Sequence, residues 1–316
     1  MRNIGKLLAA LALAAIAYPL AAIEFPAPEV VKVSERVYVL LGPVQHANKK
    51  NQGYMVNSTI IIGDKGVVLI DPGGTDEVGH FVKQQIKKIT PKPVTHVIDT
   101  HSHGDHYLAN IAFPESTIVS SEKCRDSMIQ MGDEWVGFME DMVGRKFPNT
   151  KPVTASVVYP PNSKTKITLN GVNMLMWVPP GSHTDADLMI YLPAEKVLVA
   201  GDILVNGVVP TFQFGSIRNW LVVLKEIENS DATVFVPGHG PLMDRSQVQA
   251  MHDVIARFFD EVKEIYLAQV KGQLPYMTEI EIREKLDLSA WNKLERTHEI
   301  NRNINQAYLE AEKEVF

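Results

Sequence analysis

Cysteine is almost missing: the 316-residue chain has one, Cys124. A single thiol excludes an intramolecular disulfide and any thiolate-rich metal cluster, so stability must come from the core. Cys124 itself reads as a small buried hydrophobe. Basic clusters are missing too. The formal net charge is −6, with 31 Lys and Arg against 37 Asp and Glu. Nowhere do cations gather into the patch that nucleic acid demands. No Gly/Ser linker, low-complexity tract or solenoid-length repeat divides the chain. What remains is ordinary globular composition, 45% hydrophobic and 22% charged, enough for one large core and an appendage.

The N-terminus has its own character. Arg2 and Lys6 precede an apolar run over residues 7–17, and small residues follow at Ala21 and Ala22. A basic start, a short apolar stretch and a small-residue exit make residues 1–22 a secretory signal peptide. The run is short for a bilayer span and meets Pro19, which argues against a retained anchor. The mature chain is therefore expected to be periplasmic or secreted, without stable membrane insertion. Cleavage removes two positive charges and makes the chain more acidic.

Beyond the leader, the periodicity predicts a strand over Val37–Leu41, a polar loop over 42–57, and strands over 59–62 and Val67–Ile70 turned at Gly63-Asp64-Lys65-Gly66. Val78, Phe81, Val82, Ile86 and Ile89 recur every three or four residues, a helix with one buried face. Val94–Ile98 follows as a strand. Strand, helix, strand with a polar cluster at the end marks a layered α/β fold. Strands are expected at 118–119 and 153–158 around a Met-rich helix over 125–142. Two more fill 166–178, another pair lies at 188–192 and 196–200, and a strand at 234–236 follows a helix over 220–227. From residue 246 the chain turns helical, with apolar spacing through Val270 and again over 304–315. This 246–316 segment is read as a helical extension packed on a main domain of residues 23–245, its Met and aromatic stripes as core.

The chemistry concentrates in Thr100-His101-Ser102-His103-Gly104-Asp105-His106. Four metal-competent side chains lie within six residues, directly after a predicted strand. Imidazole and carboxylate are the donors that suit zinc when no thiolate is at hand. In extended backbone His101 and His103 project to one side and share an ion. Asp105 and His106, past a permissive glycine, reach a second. Ser182-His183-Thr184-Asp185, Gly201-Asp202 and Gly238-His239-Gly240 each follow a β run, where α/β folds gather ligands.

In this order the strings H-x-H-x-D-H, G-S-H-T-D, G-D and P-G-H-G resemble the metallo-β-lactamase superfamily, as does Leu69-Ile70-Asp71-Pro72-Gly73 at a strand end. The resemblance covers roughly residues 33–245. It implies a four-layer αββα sandwich with the helical C-terminal extension added, and a groove at one edge of the sheets. It also implies two zinc ions per chain. His101, His103 and His183 would hold the first, Asp105, His106 and His239 the second, and Asp202 would bridge them, with Asp71 supporting a ligand from behind.

That family's chemistry is hydrolysis by a metal-bridging hydroxide, with Asp105 orienting it or carrying its proton. A small-molecule ester, thioester, lactone or amide is the implied substrate. The bridging aspartate is similar to glyoxalase II and lactonase branches. The leader and helical tail resemble exported hydrolases of the sulfur-oxidation-associated type. A β-lactamase is the weaker alternative, because residues 203–206 offer no cation for a drug carboxylate. A mononuclear iron persulfide dioxygenase-like oxidoreductase would leave half the ligand set idle. Substrate contacts are expected from His46, on the 42–57 loop, and from Tyr54, Met55, Phe212 and Phe214. His80, His96, His252 and His298 are read as surface or satisfied histidines.

Overall fold

The computed structural model describes residues 24–315, so the expected signal peptide lies outside the described residues. Twelve strands build two sheets. The first runs β1 (Glu29–Lys32), β2 (Val37–Leu41), β3 (Ser58–Ile62), β4 (Val67–Ile70), β5 (Val94–Ile98), β6 (Thr117–Ser121) and β7 (Val157–Tyr159) in spatial order. The second is ordered in reverse: β12 (Val234–His239), β11 (Val197–Val205), β10 (Met189–Leu192), β9 (Val172–Val178) and β8 (Ser163–Leu169). β4, β5, β6 and β7 pair in parallel, as do β11 and β12.

The central strands are apolar at consecutive positions, so their side chains alternate between two cores rather than between core and water. Ile61, Val68 and Ile70 point between the sheets and meet Met176, Ile190 and Val199 of the second sheet. Ile60, Val67 and Leu69 point outward under Val78, Val82 and Ile86 of α1 (Asp76–Ile89). On the far side, Trp220 and Leu224 of α4 (Ile217–Glu228) cover Leu198 and Phe235. Helix, sheet, sheet, helix gives the four-layer αββα sandwich.

The C-terminal helices share that outer core. α5 (Arg245–Val270) opens on a capping box between Asp244 and Gln247 and lays Val248, Ile255 and Phe258 on the second sheet. Glu279–Arg283 forms α6, and α7 (Glu299–Val315) contributes Ile300, Ile304 and Ala307 to the same cluster. Two helices remain near the first sheet: the single turn α2 (Gly104–Tyr107) and the long α3 (Glu122–Val143), capped by Ser121 and by Gly144 in the left-handed region. Among the described residues no helix is long and apolar enough to cross a membrane.

Two expectations shift. β11 runs through Val205 rather than ending near residue 200, because its register with β12 slips at Gly201, where φ is +52°, and then resumes at Val205–His239. Asp202 thus sits inside a bulged strand. The strand expected at 153–158 shrinks to β7, since the Val153 carbonyl accepts from the Asn110 side chain instead of a ladder partner.

Candidate metal centre

Each predicted ligand sits at a strand end or bulge along one edge of the sandwich. Asp71 directly follows β4, residues 101–106 lie just past β5, His183 lies between β9 and β10, Asp202 fills the β11 bulge, and His239 is the last residue of β12. The structure gathers all seven. The ligand atoms of His101, His103, His183 and Asp202 lie within 4.8 Å of one another, and so do those of Asp105, His106 and His239. Asp202 touches both groups, with Oδ1 3.3 Å from His106 Nε2 and Oδ2 3.4 Å from His239 Nε2 and 3.7 Å from His183 Nε2. Asp105 Oδ2 is 3.3 Å from His239 Nε2 and 3.7 Å from His106 Nε2.

The rings are held from behind. His106 Nδ1 donates to Asp71 Oδ2 at 2.9 Å, His183 Nδ1 to the Thr211 carbonyl at 3.2 Å, and His239 Nδ1 to the Met55 carbonyl at 2.9 Å. These oxygens only accept, so a proton is assigned to each Nδ1, and Nε2 is the atom left facing the cluster. The Thr100 hydroxyl donates to Asp71 Oδ2 at 2.8 Å and so accepts from His101 Nδ1 at 3.1 Å. His103 presents Nδ1 instead, 3.1 Å from His183 Nε2. The Nε2 atoms of His101, His106 and His239 and Oδ1 of Asp202 are buried without a hydrogen-bond partner. A native site leaves such atoms orphaned only for a reason.

Charge points to the same reason. Burial holds His101 well below its ordinary value and pushes His103 down to about 3 and His183 to about 4, leaving all three neutral. Burial opposes charge on His106 as well, but Asp202, Asp105 and Asp71 outweigh it and raise the imidazole well above its ordinary value. His239 is likewise raised against burial, chiefly by Asp202. Burial works against both carboxylates, yet His106 and His239 hold Asp105 and Asp202 below the usual range. The carboxylates demand positive charge between the rings, and in its absence draw protons onto the imidazoles. Five imidazoles and two carboxylates without a thiolate fit zinc.

Asp71 organises this from φ = +54°, its carboxylate taking the Thr100 backbone N–H, the Thr100 hydroxyl and His106. Asparagine tolerates that backbone but offers an amide where His106 Nδ1 needs an acceptor. Asp71→Asn is expected to keep the fold and to weaken zinc affinity about 10–100-fold. Competition with a chelating indicator measures this, and unchanged affinity would remove Asp71 from the site.

A cleft of about 390 Å³ opens over the cluster, reaching His103, Asp105, His183 and Asp202. α3 supplies one wall through Trp135, Phe138, Met139 and Met142. The rings of Trp135 and Phe214 lie 5.0 Å and 4.6 Å from His103. The other wall holds His46, Arg296, Glu299 and Arg302. A larger groove of about 600 Å³, between β8, β9 and α4, carries no ligand set.

His46, Met55 and Phe214 line the cleft as expected sites of contact. Tyr54 and Phe212 do not, and the expectation is corrected for both. Tyr54 is fully buried against Phe81, its hydroxyl spent on the Leu41 carbonyl. Phe212 packs among Trp220, Phe258 and Trp291. His298, read as bland, meets His46 with Nε2 atoms 3.2 Å apart. The α3 wall was hidden in the Met-rich stripe: Met128 is core, whereas Phe138 is 48% exposed on the cleft. The cations absent from residues 203–206 come instead from Arg296 and Arg302, beyond any motif.

Comparison with known proteins agrees with this geometry. The sequence model of the metallo-beta-lactamase superfamily matches residues 51–239. A probable metallo-hydrolase of Methanocaldococcus jannaschii is 30% identical over 203 residues, covering 61% of this chain and 91% of that relative. A linear primary-alkylsulfatase of a Pseudomonas species is 22% identical over 264 residues, spanning 72% of this chain and about half, 49%, of the relative. Among solved structures, a metallo-beta-lactamase from Pontibacter korlensis superposes with a TM-score of 0.56 at 22% identity, covering 72% of this chain and 99% of its own, a likeness of fold. By sequence and by fold, the chain belongs to the metallo-beta-lactamase superfamily as a metal-dependent hydrolase.

Proposed function

We propose that the protein is an exported dinuclear zinc hydrolase acting on a small ester, thioester, lactone or amide. Its alkylsulfatase relative adds sulfate esters to that class. The observation that carries this reading is the set of converging, unpartnered Nε2 atoms of His101, His106 and His239 beside Asp202. His101, His103 and His183 would hold one zinc, Asp105, His106 and His239 the other, and Asp202 both. Bound there, the metals supply Lewis acidity and lower the pKa of water toward neutrality. Asp105, whose Oδ2 faces the cluster at 14% side-chain exposure, orients the attacking water and receives its proton. Trp135 and Phe214 close the His103 side against bulk water. Zinc quantification beside turnover on esters, lactones, thioesters, sulfate esters and β-lactams tests the assignment. Two zinc ions with hydrolysis support it. A single iron with oxygen consumption on persulfides overturns it.

Zinc uptake is expected to split with pH. The first group is already neutral, so filling it displaces no imidazole proton. The second requires His106 and His239 to release protons that the carboxylates hold above the ordinary histidine value. Raising the pH removes that competition, so affinity rises with pH mainly at the second site. Dialysis at about pH 5.5 should leave less zinc per chain than dialysis at about pH 8. Equal content at both would refute the asymmetry.

A further inference from the structure

Arg296 lies outside the family-matched residues 51–239, yet its side chain lines the cleft beside Asp105 and Asp202. Its guanidinium is unspent. Nε is buried without a partner, and among the described residues no carboxylate lies within ion-pair distance of it. The carboxylate that shares its wall, Glu299, is occupied by Gln213 at 3.1 Å, His298 at 3.1 Å and Arg302 at 3.5 Å. Among the described residues, the one polar contact of the Arg296 side chain is NH2 to His239 Nδ1 at 3.3 Å. That nitrogen already donates to the Met55 carbonyl, so two donors face each other and nothing is satisfied. Arg296 is half-buried, with its Nε enclosed and unpaired, and a donor enclosed without an acceptor is costly unless a ligand oxygen completes it.

The backbone is arranged for this placement. Arg296 has φ = +63°, a conformation rare for a side-chain-bearing residue. It is pinned there by Glu295, whose N–H donates to the Gly207 carbonyl and whose carbonyl accepts from Val209 N–H, both at 2.9 Å. Strain held by surrounding hydrogen bonds is characteristic of ligand clamps. Opposite stands the apolar face of α3, with Phe138 48% and Met131 39% exposed toward the cleft. Cation on one wall and exposed apolar side chains on the other complement a molecule with both characters.

We infer that Arg296 is an anion-binding, specificity-determining residue, and that the cleft takes amphiphilic oxyanions: a carboxylate or sulfate head on Arg296 with an apolar body along α3. This deepens the hydrolase reading and rests on it for the claim that such molecules are substrates. A planar fork of donors suits either head bidentately. β-Lactams, which carry a carboxylate, meet the same cation, so the absence of a lysine at 203–206 no longer argues against them.

The test is calorimetric binding of decanoate, decyl sulfate and decyltrimethylammonium to the zinc-loaded protein and its Arg296→Gln and Arg296→Lys variants. Zinc content and thermal midpoint are checked first, because Arg296 adjoins His239. The wild type should bind both anions and prefer them to the cation. Arg296→Gln should lose about ten- to hundredfold in anion affinity with cation binding unchanged, and Arg296→Lys should recover part of it. The stronger of the two anions identifies the head group. Anion affinity unchanged in Arg296→Gln, equal affinity for anion and cation, or no anion binding by the wild type would overturn the proposal. Binding is read without turnover, so a zinc-loaded protein that binds decanoate through Arg296 but hydrolyses none of the panel refutes the hydrolase reading alone.

Discussion

Asp105→Asn should leave a folded protein whose hydrolysis falls by more than about a hundredfold. Loss of a residue behind a metal ligand already costs about 10–100-fold, and Asp105 stands at the front. Its Oδ2 lies 3.3 Å from His239 Nε2 and 3.7 Å from His106 Nε2. Asparagine keeps the volume but replaces an anionic oxygen that takes a proton with a neutral amide that does not. The fold tolerates the change because no strand or helix interior depends on this carboxylate: it belongs to the single-turn α2. The neighbouring rings respond as well. His106 is raised partly by Asp105, so the variant should need a lower pH than the wild type to protonate it. The measurement is turnover on the best panel substrate, with zinc content determined in parallel. Near-wild-type turnover at full occupancy would remove Asp105 from proton transfer.

The cluster of ligand-type side chains was legible in the sequence, and the rest of the cleft was largely not. The reason is physical. His101, His103, Asp105 and His106 share one short post-strand segment, and His183, Asp202 and His239 fall just after apolar β runs, so donor type and strand ends coincide. Strand assignment worked for the same reason: Val67–Ile70 and Val94–Ile98 are apolar at every core position, and the structure places them centrally. Tyr54 and Phe212 misled because an aromatic ring looks alike at a cleft and in a core, and only the third dimension shows that Phe212 packs on Trp291, 79 residues away in the chain. α3 misled in the opposite direction: one helix carries two apolar faces, one in the core with Met128, the other over the cleft with Phe138. Arg296 had no local signature at all. It reaches the centre because α5 returns across the second sheet and α7 lies against α5, with Phe258 stacking on Trp291 at 4.6 Å. The helical extension therefore completes the cleft rather than merely buttressing the sandwich. Arg296, Glu299 and Arg302 line the cleft over the ligand cluster.

Gly238→Ala is the second large effect, and it isolates sterics from chemistry. A Cβ at this position would lie 2.0 Å from Asp202 Oδ1, and 3.0 Å from the Asp202 nitrogen and the Gly201 carbonyl carbon. The first distance is impossible, so something must move. β12 is not free to do so: the Gly238 carbonyl accepts from Asn57 N–H at 2.8 Å, and the Asn57 amide donates to the Pro237 and Gly240 carbonyls at 2.9 and 2.7 Å. Asp202 must rotate instead, and its two oxygens face ligands of both groups. The expected result is weakened metal binding at the cluster, activity reduced by more than about a hundredfold, and a metal-free protein destabilised by about 1–3 kcal/mol through overpacking. Gly137→Ala provides the contrast. No atom lies within 4 Å of its added Cβ, and it sits inside α3, so alanine should stabilise the helix by about 1 kcal/mol with zinc retained. Elemental analysis and denaturant melts of the two variants decide the matter. Full zinc content in Gly238→Ala would mean that Asp202 yields without leaving the metals, and that the close approach of β12 to β11 is not what holds the bridging carboxylate in place.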